Sequence, residues 1–281
     1  MGPPFLVSLL LAALVLPPPL EQWRAEIEAA AGVPVLVAEV EFSEDGRQMQ
    51  LAEDVRGRAV MAQYLQQPAF VEQFLLMRGV MVHHRGWEGE AYLILLNGRR
   101  RPEWERHLPA LVGHELGHAW LRVIRYPEAQ AEAGDPACLA VHAGDIVEHV
   151  LIRRELSRRG VAHAVYAAAS FQAALAAMKK LPDGEGLRLA RRDPCRALRQ
   201  VAAWVDARLG LDAEAWPDLA NYEAESRRLF PGLEEAVGSI QADLHGADSA
   251  DPEQGQAALA RVAAKLRGVA AALVDGPAQE P

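Results

Sequence analysis

Two histidines and a glutamate fall within five residues of one apolar run, LVGHELGHAW, residues 111–120. In a helix, residues four apart stack on the same face, so His114 and His118 can aim their rings at a common point. A zinc ion held by imidazole nitrogens at roughly 2.0–2.1 Å fits that spacing. Glu115, one residue on, is rotated by about 100° and lies beside such an ion instead of on it. There it can take a proton from water acidified by the metal and later deliver it to a leaving amine. The flanking Leu111, Val112, Leu116, Ala119 and Trp120 mark the helix as buried. Buried histidines and glutamates need partners.

A catalytic zinc site takes three protein ligands and keeps one position open, so a third ligand is required. Acids and histidines concentrate in VHAGDIVEHVLIRRELSRRG, residues 141–160. Helical spacing places Asp145 and Glu148 on one apolar face with Val141, Ile152 and Leu156, and turns Arg153 and Arg154 toward water. A carboxylate on that face must bind the metal, orient a ligating histidine through its ring N–H, or pair with a neighbouring arginine. Glu148 is the expected third ligand, with Asp145 as the alternative and His149 and His142 behind them. Tyr126, His142, His149 and Tyr166 are candidates for stabilising an oxyanion. His83, His84 and His107 read as strand or solvent-facing residues.

HELGH followed about thirty residues later by an acid on a second helix resembles the gluzincin-type zinc metallopeptidases. A strand, AYLILLN, just before the motif helix is similar to the compact minigluzincin subset. The resemblance covers about residues 85–160. It implies that His114, His118 and Glu148 bind Zn2+, that Glu115 is the general base, and that the 91–97 strand is a sheet edge that pairs with an extended peptide. DIVEH offers competing ligands where that family has one glutamate. No HExxHxxGxxH continuation succeeds the motif, which argues against a metzincin. The expected activity is peptide-bond hydrolysis by a zinc metallopeptidase. The alternative is a non-catalytic protein with a structural or degenerate zinc site and a helical surface for a protein partner.

These residues need elements to position them. Leu20, Trp23, Ile27 and Ala30 recur at helical intervals and stop at Gly32. Residues 33–42, 79–84 and 90–98 read as strands, with a turn at 85–89. Residues 50–78 read as helical with a break near Pro68. Pro102, Glu103 and Glu105 suit a helix start, and Pro109 separates that lead-in turn from a main helix over 108–123. Helical patterns then cover 137–159, 161–180, 193–209, 214–229, 232–245 and 254–274, with Trp204, Trp216 and Phe230 as core anchors.

The fold class is therefore α+β and mostly α-helical: a small N-terminal sheet packed on the HExxH helix and a ligand-bearing second helix, then a C-terminal helical bundle. The expected organisation is an apolar N-terminal segment at 1–19, a metallopeptidase-like core at 20–160, a helical region at 161–275 and a disordered tail at 276–281.

The chain has 281 residues, 51% hydrophobic, enough for a core without staples. Its net charge is −9, and the basic stretch over 151–210, with twelve Lys/Arg against five Asp/Glu, reads as solvated helix faces. A peptide or protein substrate is expected as partner, and no nucleic acid. Oligomeric state is left open. Cys138 and Cys195 form no CxxC arrangement; they could pair in an exported protein, and two free thiols are the plainer reading. Phe5 to Leu16 has the length of a signal-peptide core and is too short to span a bilayer. No basic residue precedes it and no small-x-small site comes after it, so the cytoplasm is favoured slightly over export. No stable membrane span is expected.

Overall fold

The computed structural model describes residues 14–43, 49–51, 57–86, 89–245 and 251–275. Most of the apolar N-terminal run, the centre of the 85–89 turn and the 276–281 tail lie outside these residues. The chain is mainly helical, with a four-stranded sheet in its N-terminal part and helices after it, as its patterning predicts. It forms two compact units, Met1–Ala119 and Trp120–Pro281.

In the first unit, α1 (Pro18–Ala31) buries Leu20, Trp23 and Ile27 along one face and ends at Gly32 in the left-handed conformation that glycine tolerates. The strands are β1 (Val35–Phe42), β2 (Met49–Gln50), β3 (Gly79–Gly86) and β4 (Gly89–Asn97), in the order β2-β1-β4-β3. Helices α2 (Arg58–Leu65) and α3 (Pro68–Phe74) break at Pro68 as expected. β4 runs parallel to β1 and antiparallel to β3, and every residue from Ala91 to Asn97 is buried. Ala91, Leu93 and Leu95 share a core with Leu36, Val40, Met61 and Phe74. The alternate residues Tyr92, Ile94 and Leu96 point to the other face.

This topology corrects one expectation. The 91–97 strand is interior, with β1 on one side and β3 on the other, and so cannot receive a peptide strand. Its continuous apolar run marks a strand buried on both faces. β3 carries the exposed edge instead, since no described strand pairs with its outer side.

Asn97 ends β4 and sets the path of the chain toward the motif helix. Its buried amide donates to the carbonyls of Phe74 and Met77 at 3.0 and 2.9 Å, and its Oδ1 accepts from the Arg99 N–H at 3.1 Å. Trp104 Nε1 in turn donates to the Asn97 carbonyl at 2.9 Å. These bonds tie down a short lead-in of 3-10 turns and α4 (Arg101–Trp104) before α5 (Leu108–Val123), which carries the motif. Pro109 sits in the first turn of α5, where its missing N–H costs no hydrogen bond.

The second unit contains α6 (Leu139–Arg158), α7 (His163–Met178), α8 (Glu185–Ala190), α9 (Cys195–Gly210), α10 (Leu219–Leu229), α11 (Leu233–His245) and α12 (Pro252–Asp275). The short α8 falls between the predicted helices over 161–180 and 193–209. Trp204, Trp216 and Phe230 are buried, as predicted. α6 buries residues around most of its circumference, including Leu139, Ala143, Ile146, Val147, Leu151 and Leu156. Such a helix has no single inward stripe. That is why Val141, assigned to the inner face, is 59% exposed and Asp145 stands half-exposed.

A second correction concerns the cysteines, which form a Cys138–Cys195 disulfide with Cα atoms 5.9 Å apart. Their separation of 57 residues matches the offset between α6 and α9, which lie side by side in the same direction. The bond closes a long loop and should stabilise the unit by about 4 kcal/mol through the unfolded chain.

Among the described residues no helix is long and apolar enough to cross a membrane.

Gly98 tests the junction between sheet and lead-in turn, because a Cβ there would lie 2.6 Å from the Val40 carbonyl oxygen. Gly98→Ala is expected to destabilise the protein by about 1–3 kcal/mol, read as a lower midpoint in chemical denaturation. An unchanged midpoint would show that β1 and the turn separate freely.

Candidate metal centre

The motif helix does what its spacing predicts. His114 and His118 bring their Nε2 atoms to 3.3 Å on one face of α5, with the rings nearly perpendicular. Both are half-buried, whereas Glu115 is only 7% exposed. A Cβ placed on Gly79, the first residue of β3, would lie 3.5 Å from Glu115 Oε1 and 3.3 Å from both Leu96 and Leu111. Gly79 therefore lets the edge strand run close to the carboxylate.

The third residue that joins the pair is His149 on α6. One ring nitrogen from each of His114, His118 and His149 lies within 4.8 Å of the others, and all three residues are half-buried. Neither Glu148 nor Asp145 belongs to this donor group. Glu148, expected as the third ligand, is 3% exposed and its Oε1 lies 3.2 Å from Nη2 of Arg122. It thus takes the arginine-paired role open to a buried carboxylate. Asp145 lies 3.8 Å from Nδ1 of His142, its neighbour three residues back on α6. Consecutive helix positions differ by about 100°, so the face that carries Glu148 is not the one that carries His149.

His149 has support that its local sequence does not reveal. Its Nδ1 lies 3.4 Å from Oδ1 of Asp206 on α9, and Nη1 of Arg153 pairs with the same oxygen. A carboxylate at one ring nitrogen of a ligating histidine fixes the tautomer and presents the other nitrogen to the metal. Burial disfavours a charged His149, but Asp206 more than offsets it and holds the imidazole above its ordinary value. Burial likewise opposes the Asp206 charge, yet Arg153 and His149 hold that carboxyl far below the usual range. In the sequence, Asp206 is legible only as a lone acid among the apolar residues of α9.

The α6–α9 pairing explains why these groups meet. Cys138 caps the start of α6 and Cys195 begins α9. Eleven residues beyond each cysteine, about 16 Å along each helix, stand His149 and Asp206. One turn further, Arg153 lies against Gly210 at the same offset.

The remaining candidates are placed elsewhere. Tyr126 is buried, with its ring against Gly255 of α12, and burial together with Glu148 pushes its hydroxyl up to about 12. Tyr166 stacks edge-on with His163. His83 bonds to Glu90, and His84 to the Tyr64 hydroxyl at 3.1 Å. His142 faces Asp145.

The donor set would fit a zinc ion: three imidazoles, no fourth protein donor in the group among the described residues, and a buried carboxylate one residue from His114. No protein family, curated protein or solved structure matches this chain.

Asp206→Asn is expected to weaken zinc affinity about 10–100-fold, measured by competition with a chromogenic chelator. Unaltered affinity would remove Asp206 from the centre. Reduction of Cys138–Cys195 by a dithiol should lower the thermal midpoint and weaken zinc binding together. A fall in midpoint with zinc affinity intact would limit the disulfide to a purely global role.

Proposed function

We propose that this protein is a zinc-dependent metallopeptidase whose ligands are His114, His118 and His149 and whose general base is Glu115. The observation that carries the reading is the convergence of three histidine nitrogens beside a buried glutamate. When bound, a zinc ion would acidify water and polarise the scissile carbonyl. Glu115 would take the proton from the attacking water and pass it to the leaving amine. Asp206 would hold His149 in its ligating tautomer, and Arg153 would keep Asp206 ionised.

A polypeptide substrate is supported by the edge strand β3, whose first residue lies against Glu115. An extended peptide could add to that edge by backbone hydrogen bonds. The likeness to gluzincins rests on the HELGH helix and the preceding strand, and in this reading a histidine replaces the glutamate ligand of that family. A purely structural zinc would call for a fourth protein donor, which the described group lacks. The disulfide favours an oxidising compartment as the place of work.

Glu115→Gln should keep its zinc and lose peptide hydrolysis by about 10²–10⁴-fold, assayed against peptide libraries. His149→Ala should lose zinc, and Glu148→Gln should retain it. Hydrolysis by Glu115→Gln at the parent rate would strip Glu115 of its role as base. Zinc lost from Glu148→Gln but kept by His149→Ala would return the third ligand to the glutamate.

A further inference from the structure

The second unit contains a cavity of about 740 Å³ beside the C-terminal half of α6. That volume is in the range of small-molecule sites. Its polar lining comes from Arg153, Arg154, Ser157 and His163, together with His245, and no carboxylate lines it. Val161 and Leu209 contribute apolar wall.

The two arginines differ in a useful way. Arg153 gives Nη1 to Asp206 and packs its Nε against Gly210, which leaves the Nη2 donors for a ligand. Arg154 has no ion pair among the described residues, and its positive charge at the cavity is not neutralised locally. The chain as a whole is acidic, at −9, so an acid-free concave patch with two arginines runs against the average of the molecule. Solvated arginines need no cavity, whereas a ligand with both a charged and an apolar part does.

We propose that this cavity binds a small organic anion bearing an apolar group. Its carboxylate or phosphate is held by Arg154 and the outer donors of Arg153, with Ser157 adding a hydrogen bond. The apolar part rests on Val161 and Leu209. Planar guanidinium forks match both carboxylate and phosphate oxygens. The site shares Arg153 with the support of His149 but does not rest on the metal-centre reading, and its test uses metal-free protein.

Titration calorimetry of the full chain with phenyl phosphate, inorganic phosphate, benzoate and benzyl alcohol separates the contributions. Phenyl phosphate or benzoate should saturate a single site, and whichever binds more tightly identifies the preferred head group. Inorganic phosphate should bind about tenfold or more weakly than phenyl phosphate, and neutral benzyl alcohol should not saturate. Arg154→Gln should weaken binding of the anion by about tenfold or more without changing the thermal midpoint, since Arg154 is exposed. Arg188→Gln, whose native arginine is paired with Glu185 on α8, should bind like the parent. Absence of saturable binding by either aromatic anion, or equal binding by the parent and Arg154→Gln, would overturn the proposal.

Discussion

The parallel packing of α6 against α9 is the constraint on which the candidate centre depends. A single offset of 57 residues relates Cys138 to Cys195, His149 to Asp206 and Arg153 to Gly210. The disulfide locks that offset at one end of the pair. His149 and Asp206 continue it about three turns away, and Arg153 and Gly210 about one turn beyond them. Burying an imidazole and a carboxylate together is costly unless each finds a partner, and here each partner comes from the facing helix. A slip of one residue between the helices would rotate Asp206 away from His149 by about 100° and leave both unsupported.

The sheet serves the same centre by a different route. β4 is buried on both faces, and Asn97 at its end holds the turn between α3 and β3 as well as the lead-in to α5. The lead-in to α5 is therefore tied to Asn97 through its side-chain Oδ1 and its backbone carbonyl. Gly79 lacks the side chain that would crowd Leu96 and Leu111 beside Glu115. Glu115 is thus enclosed by close packing and is only 7% exposed.

Local periodicity makes much of this legible. HELGH states its own geometry, because a spacing of four in a buried helix allows one arrangement of the two rings. The long helices, the break at Pro68 and the core roles of Trp204 and Trp216 come from spacing and punctuation in the same way. The features that stay hidden depend on pairing between distant segments. The resemblance alone makes β4 an edge, and its residues do not correct it because strand order is not a local property. The cysteines read as free because nothing near either one shows that two helix starts meet. The wheel that turns Asp145 inward assumes one apolar stripe, whereas α6 is buried on most sides. Glu148 and His149 are adjacent in sequence, and only the facing Arg122 and Asp206 show that one pairs with an arginine while the other is held by a carboxylate beside the His114–His118 pair.

The central claim is that His114, His118 and His149 form one metal centre. X-ray absorption at the zinc edge of the loaded protein tests it most directly. One zinc per chain is expected, with three imidazole nitrogens at roughly 2.0–2.1 Å and one oxygen from solvent. A first shell of two imidazoles and a protein carboxylate, or a protein that retains no zinc, would contradict it.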